Sequence, residues 1–138
     1  MPRRFSDRDI QELLATKEVV LLSTVHTDGS PLAMPVWFWH DPTSLTMVSE
    51  ADTQKVRNLR RDPRVCVVAD SGSRQDARAV IIGGHAEFLP DSPERRALVS
   101  ALLRKYHPDL GRKWGGDAMP ANRVMFRIVP AWIRTYGM

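Results

Sequence analysis

The chain has little cysteine, no long apolar run and no clustered metal ligands. Its single cysteine, Cys66, cannot form a disulfide within the chain. Its four histidines lack the sequence spacing of a metal motif. No apolar stretch approaches the ~20 residues that a membrane span needs, and the basic N-terminus is not followed by the apolar segment of a signal peptide. We therefore expect a cytoplasmic protein with no metal site and no membrane contact.

The composition is that of an ordinary globular domain. The 138 residues are 43% hydrophobic and 26% charged, and a chain of this length can bury about two-thirds of its unfolded surface. We therefore expect one domain over residues 1–138. Twenty basic residues against sixteen acidic residues give a net charge of +4. Arginine dominates the basic residues, and its planar guanidinium matches phosphate and carboxylate groups, which favours anionic partners.

Turn signals at short spacing predict a mainly β fold with peripheral helices. The predicted strands are 18–26, 32–40, 45–49, 64–69, 79–89, 124–129 and 132–136, and the predicted helices are 6–16, 52–61 and 92–106. Ser6 and Asp9 have the spacing of a capping box for the first helix. Asp52 or Thr53 is the expected cap of the second helix, and Ser92 is the expected cap of the third. Gly83 and Gly84 inside one strand predict a β-bulge, and residues 108–121 are predicted as a loop with one helical turn. An antiparallel barrel, closed or partly closed, is the most economical arrangement of these elements.

The stretch from Ser49 to Asn58 is a candidate anion site. A helix that begins directly after a strand offers unpaired backbone N–H groups and the positive end of its dipole. Ser49 and Thr53 add hydroxyl groups, and Lys55 and Arg57 add positive charge. A phosphate group suits such a cluster, since each charge-assisted hydrogen bond contributes about 1.5–3 kcal/mol.

The same stretch has a purely structural interpretation. Asp52 is a good helix cap, and Lys55 and Arg57 are long side chains that often point to water. Glu50 and Asp52 also oppose an anion unless their side chains turn away. The residue pattern leaves both interpretations open.

The run from Pro35 to His40 is a second candidate, because it is unusually aromatic for one strand. Strand alternation predicts that Trp37 and Trp39 lie on one face, where a planar ligand can rest. The alternative is that these rings pack in the core or at a dimer interface, where aromatic residues are common.

No catalytic constellation is recognisable in the sequence. There is no nucleophile elbow, and Cys66 lies in the middle of a strand, where we interpret it as an inert core residue. If a proton donor exists, His40, His85 and Tyr106 are the candidates, and the sequence selects none of them. The catalytic residues therefore stay unknown at this stage.

The order of several motifs resembles the pyridoxamine-5′-phosphate-oxidase-like FMN-binding split barrels, and more closely their actinobacterial branch, which uses the deazaflavin F420. The segments that carry the resemblance are 20–25, 28–31, 35–38, 55–65 and 123–130. The run Lys-Val-Arg-Asn-Leu-Arg-Arg-Asp-Pro-Arg-Val at 55–65 is the most specific of them. The likeness covers residues 10–90 well and the C-terminal strands in addition.

The resemblance implies a six-stranded antiparallel split barrel that forms a homodimer, with cofactor sites between the subunits. By the family pattern, the residues near the cofactor phosphate are Ser49, Thr53, Lys55, Arg57 and Asn58. The backbone of Pro35, Val36, Trp37 and Phe38 is implied to lie along the tricyclic ring.

The implied function is an F420-dependent oxidoreductase that moves a hydride between the cofactor and a small planar or conjugated substrate. FMN is the alternative cofactor. The vitamin B6 oxidases themselves carry a basic residue in the strand that here reads Met34 to Trp39, and this strand has none. That departure disfavours pyridoxamine phosphate as the substrate.

Two rival functions belong to other classes. One is a split barrel that binds a flavin or tetrapyrrole without turnover. The other is a nucleic-acid-binding barrel, which only the positive charge supports, and no nucleic-acid motif accompanies that charge. We therefore expect a small-molecule substrate and a second copy of the chain as partners, and no nucleic acid.

Overall fold

A computed structural model describes residues 2–138, which form seven strands and four helices. The strands are β1 (Val20–Val25), β2 (Pro31–Val36), β3 (Trp39–His40), β4 (Leu45–Glu50), β5 (Arg64–Asp70), β6 (Ala79–Phe88) and β7 (Arg123–Tyr136). The helices are α1 (Arg8–Ala15), α2 (Gln54–Arg61), α3 (Pro93–Lys105) and α4 (Asp109–Trp114). No helix within this range has the length and apolar character that a membrane span requires.

All strands join one antiparallel sheet in the order β2-β1-β5-β6-β7-β4-β3. The sheet curls into a half-barrel, so the fold is mainly β and of the split-barrel type, as predicted. The expected number of strands was wrong, since the described residues form seven strands and not six. β4 and β3 reach the rest of the sheet only through β7, and β2 forms the other edge. Curling brings these two ends of the sheet towards each other.

Two departures from the predicted elements offset each other, so the total stays at the seven strands that the residue pattern predicted, whereas the family resemblance implied six. The run 32–40 is not one strand, because the chain leaves the sheet at Trp37 and Phe38 and re-enters it as β3. The two predicted C-terminal strands are instead one, since β7 continues through Pro130. The predicted bulge is confirmed at Gly83/Gly84, and Pro130 pairs with Gly84 there. A proline is tolerated at a bulge because the ladder is interrupted at that point.

Helix ends follow the sequence signals in two cases and depart from them in two. Thr53 caps α2 through its hydroxyl, and Ser92 caps α3 in the same way. The predicted capping box of the first helix is wrong, because Asp7 occupies the cap position and its side chain makes no cap bond. The region predicted as a loop with one helical turn contains the six-residue helix α4, which confirms a helical segment there but is longer than one turn, and which ends at Gly115 in the left-handed conformation (φ 75°).

The buried residues form two clusters. The larger one fills the half-barrel and includes Phe38, Phe126 and Ile128, none of which is exposed. The smaller one lies under α3 and α4 and includes Tyr106 and Leu110. It packs these helices beside the seam between the two ends of the sheet.

Candidate functional site

A cavity of about 340 Å³ lies at the seam of the half-barrel. Its walls come from the end of β2, the junction of β4 with α2, the start of β7, and the two helices α3 and α4. The lining residues are Pro35, Val36, Trp37, Val48, Ser49, Glu50, Thr53, Lys55, Leu102, Tyr106, Leu110, Lys113, Trp114 and Arg123. The two sequence candidates, the anion stretch and the aromatic run, therefore meet in one cavity.

The junction of β4 with α2 supplies hydroxyl and amide donors to this cavity. The hydroxyl of Ser49 donates to the carbonyl oxygen of Glu50 at 3.0 Å and lies 3.3 Å from the Thr53 hydroxyl. Thr53 accepts a hydrogen bond from the amide of Val56 at 3.3 Å. The other first-turn amides of α2 have no partner within the helix. Lys55 follows in the same turn, and burial lowers the pKa of its ammonium group.

The two carboxylates that oppose an anion are each held by an arginine. Glu50 lies on the cavity wall, and one of its oxygens is 3.6 Å from the Arg123 guanidinium. Asp52 is exposed and pairs with Arg57 at 2.7 Å. Each carboxylate therefore has an arginine partner, and the charge of Glu50 also acts on Lys55, where it only partly offsets the effect of burial on the Lys55 pKa.

The opposite wall of the cavity is aromatic. The rings of Trp37 and Tyr106 stack with their centroids 4.3 Å apart and an angle of 15° between their planes. The Lys113 ammonium lies 5.5 Å from the centroid of the Trp37 ring. Trp37 is 37% exposed, so part of the indole stays free to contact a ligand.

The end of helix α3 holds in place the segment between β2 and β3, which lies behind this wall. The Tyr106 hydroxyl accepts from the amide of Phe38 at 2.8 Å and lies 2.7 Å from the carbonyl oxygen of Glu18, to which it donates. Burial raises the pKa of Tyr106 to about 12. The Lys105 ammonium donates to the carbonyl oxygen of Phe38 at 2.8 Å, and burial lowers the pKa of Lys105 to about 8. These bonds replace the strand pairing that Phe38 lacks.

Six of the nine predicted cofactor-binding residues line the cavity, and the other three lie outside its walls among the described residues. The six are Pro35, Val36, Trp37, Ser49, Thr53 and Lys55. The Phe38 side chain is buried in the core. Asn58 is buried, and its amide donates to the Thr24 hydroxyl at 3.0 Å, which ties α2 to β1. Arg57 is engaged with Asp52.

The three candidate proton donors are bound elsewhere in the described structure. His40 lies 2.8 Å from the Gln11 side chain, and His85 pairs with Glu87 at 3.2 Å on the surface. Neither histidine lines the cavity. Tyr106 lines it through its ring, but its hydroxyl proton is donated to a backbone carbonyl.

Sequence reasoning missed the helical side of the site. Lys113 and Trp114 lie in the region predicted as a loop, where Pro108 and the Gly115-Gly116 pair obscure the helical pattern. Leu102, Tyr106 and Leu110 on this side occupy apolar helix positions of the kind found in any core. Arg123 at the start of β7 carried no signal, because a basic residue at a strand end is usually solvated.

The chain is similar to proteins of known family and structure. Residues 6–137 match the family described as pyridoxamine 5′-phosphate oxidase. The conserved hypothetical protein Rv2991 of Mycobacterium tuberculosis is 26% identical, with a TM-score of 0.80, 94% of this chain covered and 83% of the other. A FAD-binding protein of Mesorhizobium loti, mll6688, is 24% identical (TM-score 0.73; 92% and 91% covered).

An F420 reductase is also 24% identical, with a TM-score of 0.65 and coverage of 93% of this chain and 96% of the other. Heme-binding proteins share the fold as well. All of these proteins except Rv2991 are under 25% identical, so their likeness concerns the fold alone. The family match, in contrast, spans nearly all of the sequence. The chain therefore belongs to the pyridoxamine 5′-phosphate oxidase family.

Proposed function

We propose that the protein is an oxidoreductase that binds F420 in the seam cavity and transfers a hydride between this cofactor and a small planar or conjugated substrate. The observation that carries the proposal is that Lys55 and two hydroxyl groups face an aromatic wall across one cavity. Cationic and hydroxyl donors suit a phosphate, and stacked aromatic rings suit a planar ring system. The fold of an F420 reductase supports the same assignment.

The donor set fits a cofactor that has both a phosphate and a flat ring. Ser49, Thr53 and Lys55 would hold the phosphate, and Pro35, Val36 and Trp37 would lie along the ring. Phe38 and Asn58 support the site from behind, since both are buried and anchor its walls. Arg57, which pairs with Asp52 outside the cavity walls, contributes less to phosphate binding than Lys55.

Hydride transfer is the chemistry that the cofactor supplies when it is bound, and the protein supplies binding, orientation and exclusion of water. No side chain on the described cavity walls is both titratable near neutral pH and free of partners. The residues of this chain therefore act by holding one ring face and by leaving the other accessible to substrate. The run from Met34 to Trp39 contains no basic residue, which disfavours a phosphorylated B6 substrate.

We also propose that two copies of the chain complete the site. Leu21 pairs with Pro35 on one side and Val68 on the other, and Val68 pairs with Ile81, so these residues form a row on the outer face of the sheet. Leu21 is 48% exposed and Trp132 is 49% exposed. Since Pro35 belongs to this face and also lines the cavity, a second chain on the face would cover the cavity mouth.

Leu21→Glu tests the dimer. A carboxylate at the centre of an apolar interface has no partner, so we expect the dimer dissociation constant to rise at least tenfold, about 1.4 kcal/mol, and cofactor affinity to fall with it. Sedimentation velocity measures the dimer dissociation constant, and titration measures the cofactor affinity. Ser100→Glu adds the same charge at an exposed position of α3 and should change neither. A monomeric wild-type protein, or a dimeric Leu21→Glu variant, would contradict the proposal.

The function itself is tested by titrating F420 and FMN side by side into wild-type protein and Lys55→Ala. One cofactor should bind with a micromolar or lower dissociation constant. Removal of the Lys55 ammonium should weaken it at least tenfold, about 1.4 kcal/mol. Arg57→Ala is the matched control, and its exposed pairing with Asp52 predicts a smaller loss. If neither cofactor binds, or if Lys55→Ala binds as well as wild type, the phosphate assignment is wrong.

The same titration separates the alternatives. Tighter binding of FMN would make the protein an FMN-dependent oxidoreductase. A non-catalytic binder would hold the reduced cofactor without oxidising it when quinones or enones are added. Heme binding has less support from the site, because no histidine lies among the described residues that line the cavity.

A further inference from the structure

Helix α4 places a second ammonium group, that of Lys113, on the lining of the cavity beside the Trp37 ring. We propose that Lys113 binds the anionic group of the cofactor together with Lys55, so that the phosphate is held from both walls. This inference rests on the proposed function, because it adds a contact to the same site. It makes α4 part of the binding machinery, although the sequence predicted only a loop with one helical turn there.

The charge balance of the cavity leaves two cations without a carboxylate. Arg123 and Glu50 pair with each other across 3.6 Å. Lys55 and Lys113 also line the cavity, and neither forms a salt bridge within residues 2–138. Burial lowers the pKa of Lys55, the carboxylate of Glu50 opposes that shift, and the charge of Lys113 adds to it. The two ammonium groups therefore repel each other, and an anion between them relieves that repulsion.

The position of Lys113 is set by its own helix and by the aromatic wall. Leu110 is buried one turn before it, which fixes the face that α4 turns to the core. The Lys113 ammonium lies 5.5 Å from the centroid of the Trp37 ring. An ammonium against an indole face is attracted by the ring quadrupole, so it is held at the cavity mouth before an anion arrives.

A purely structural role for Lys113 makes a different prediction from an anion-binding role. If Lys113 only positions the Trp37 ring, its loss affects every ligand that stacks on that ring. If it binds the anion, its loss affects only ligands that carry a phosphate. Ligand pairs that differ in the phosphate group therefore distinguish the two roles.

The test compares Lys113→Gln with wild type, using FMN against riboflavin and F420 against its phosphate-free chromophore. We expect about a fivefold loss of affinity for the phosphorylated member of the pair that binds, since Lys113 lies at an exposed position where screening is strong. The phosphate-free member should bind unchanged. Lys113→Arg should keep most of the affinity, and Arg112→Gln, which removes the same charge from an exposed neighbour on α4, should change nothing.

Lys55→Gln, measured in parallel, separates this inference from the proposed function. If Lys55→Gln weakens binding and Lys113→Gln does not, the role of Lys113 is refuted and the function stands. Equal losses for both members of a ligand pair in Lys113→Gln also refute it. If Lys113→Gln weakens phosphate binding and Lys55→Gln does not, Lys113 binds the phosphate without Lys55, and both the Lys55 assignment and the paired contact are refuted. Binding of none of the four ligands overturns both.

Discussion

Phe38→Ala should lower the free energy of unfolding by about 3–5 kcal/mol, which is the usual loss for a buried phenylalanine. The Phe38 ring is 0% exposed and belongs to the core of the half-barrel. The Lys105 ammonium lies 3.5 Å from the ring centroid. The variant therefore also removes the ring that this cation contacts and leaves a cavity beside it. Urea denaturation followed by circular dichroism measures the loss.

The neighbouring Trp37 provides the control for this prediction. Its ring is partly exposed on the cavity wall, so Trp37→Ala should lose much less stability and more cofactor affinity. Equal losses of stability in the two variants would contradict the interruption between β2 and β3, which buries the Phe38 ring and leaves the Trp37 ring on the cavity wall. If Phe38→Ala does not accumulate as folded protein, Phe38→Leu replaces it in the test, and its free energy of unfolding should fall by about 1 kcal/mol.

Tyr106→Phe should cost about 2 kcal/mol of stability, because it leaves the buried amide of Phe38 without a hydrogen-bond acceptor. The stacked ring on Trp37 is retained in this variant, so the loss reports the hydroxyl alone. The only other tyrosine, Tyr136, is 69% exposed, and Tyr136→Phe should change stability by less than about 0.5 kcal/mol.

The readout for the Tyr106 hydroxyl is the urea midpoint of both tyrosine variants. A second readout is cofactor affinity, which should fall modestly in Tyr106→Phe, since the Phe38 anchor sets the position of the cavity wall. If Tyr106→Phe is as stable as wild type, water replaces the hydroxyl and the anchoring role is refuted.

The strands were predictable where one face is buried. Val20, Leu22 and Thr24 alternate with less buried neighbours in β1, and period-two burial of this kind is visible in a sequence. The caps Thr53 and Ser92 were predictable for a similar reason, because the chemistry of a cap is local.

The break at Trp37 and Phe38 was not predictable from local pattern. An uninterrupted run of apolar and aromatic residues favours one strand, and the break exists because Tyr106 and Lys105, far away in sequence, bind the Phe38 backbone. Cys66 illustrates the same limit. It was interpreted as a core residue, yet its register with Gly83 places it half-buried on the outer face.

The candidate site was predictable on one side only. Lys55 and Thr53 follow a strand and begin a helix, which is a local signal for an anion. Lys113 reaches the same cavity through the packing of α4. The residue pattern of a short segment flanked by glycines does not predict where that segment packs. The sequence therefore indicated the β4–α2 junction and the aromatic run, and it missed the residues that α3 and α4 add to the cavity.

The seam has a consequence for the lifetime of the folded protein. β2 and β4 stand near opposite ends of the strand order, so a contiguous part of the sheet contains both only if it includes all the strands from β2 to β4. A cofactor in the seam would therefore stabilise the nearly complete sheet and not its smaller parts, by mass action. Contacts that form only after the transition state of folding reduce the rate of unfolding and leave the rate of folding unchanged. The loaded protein would thus resist proteolysis for longer than the empty one, and cofactor supply would regulate how long each copy survives.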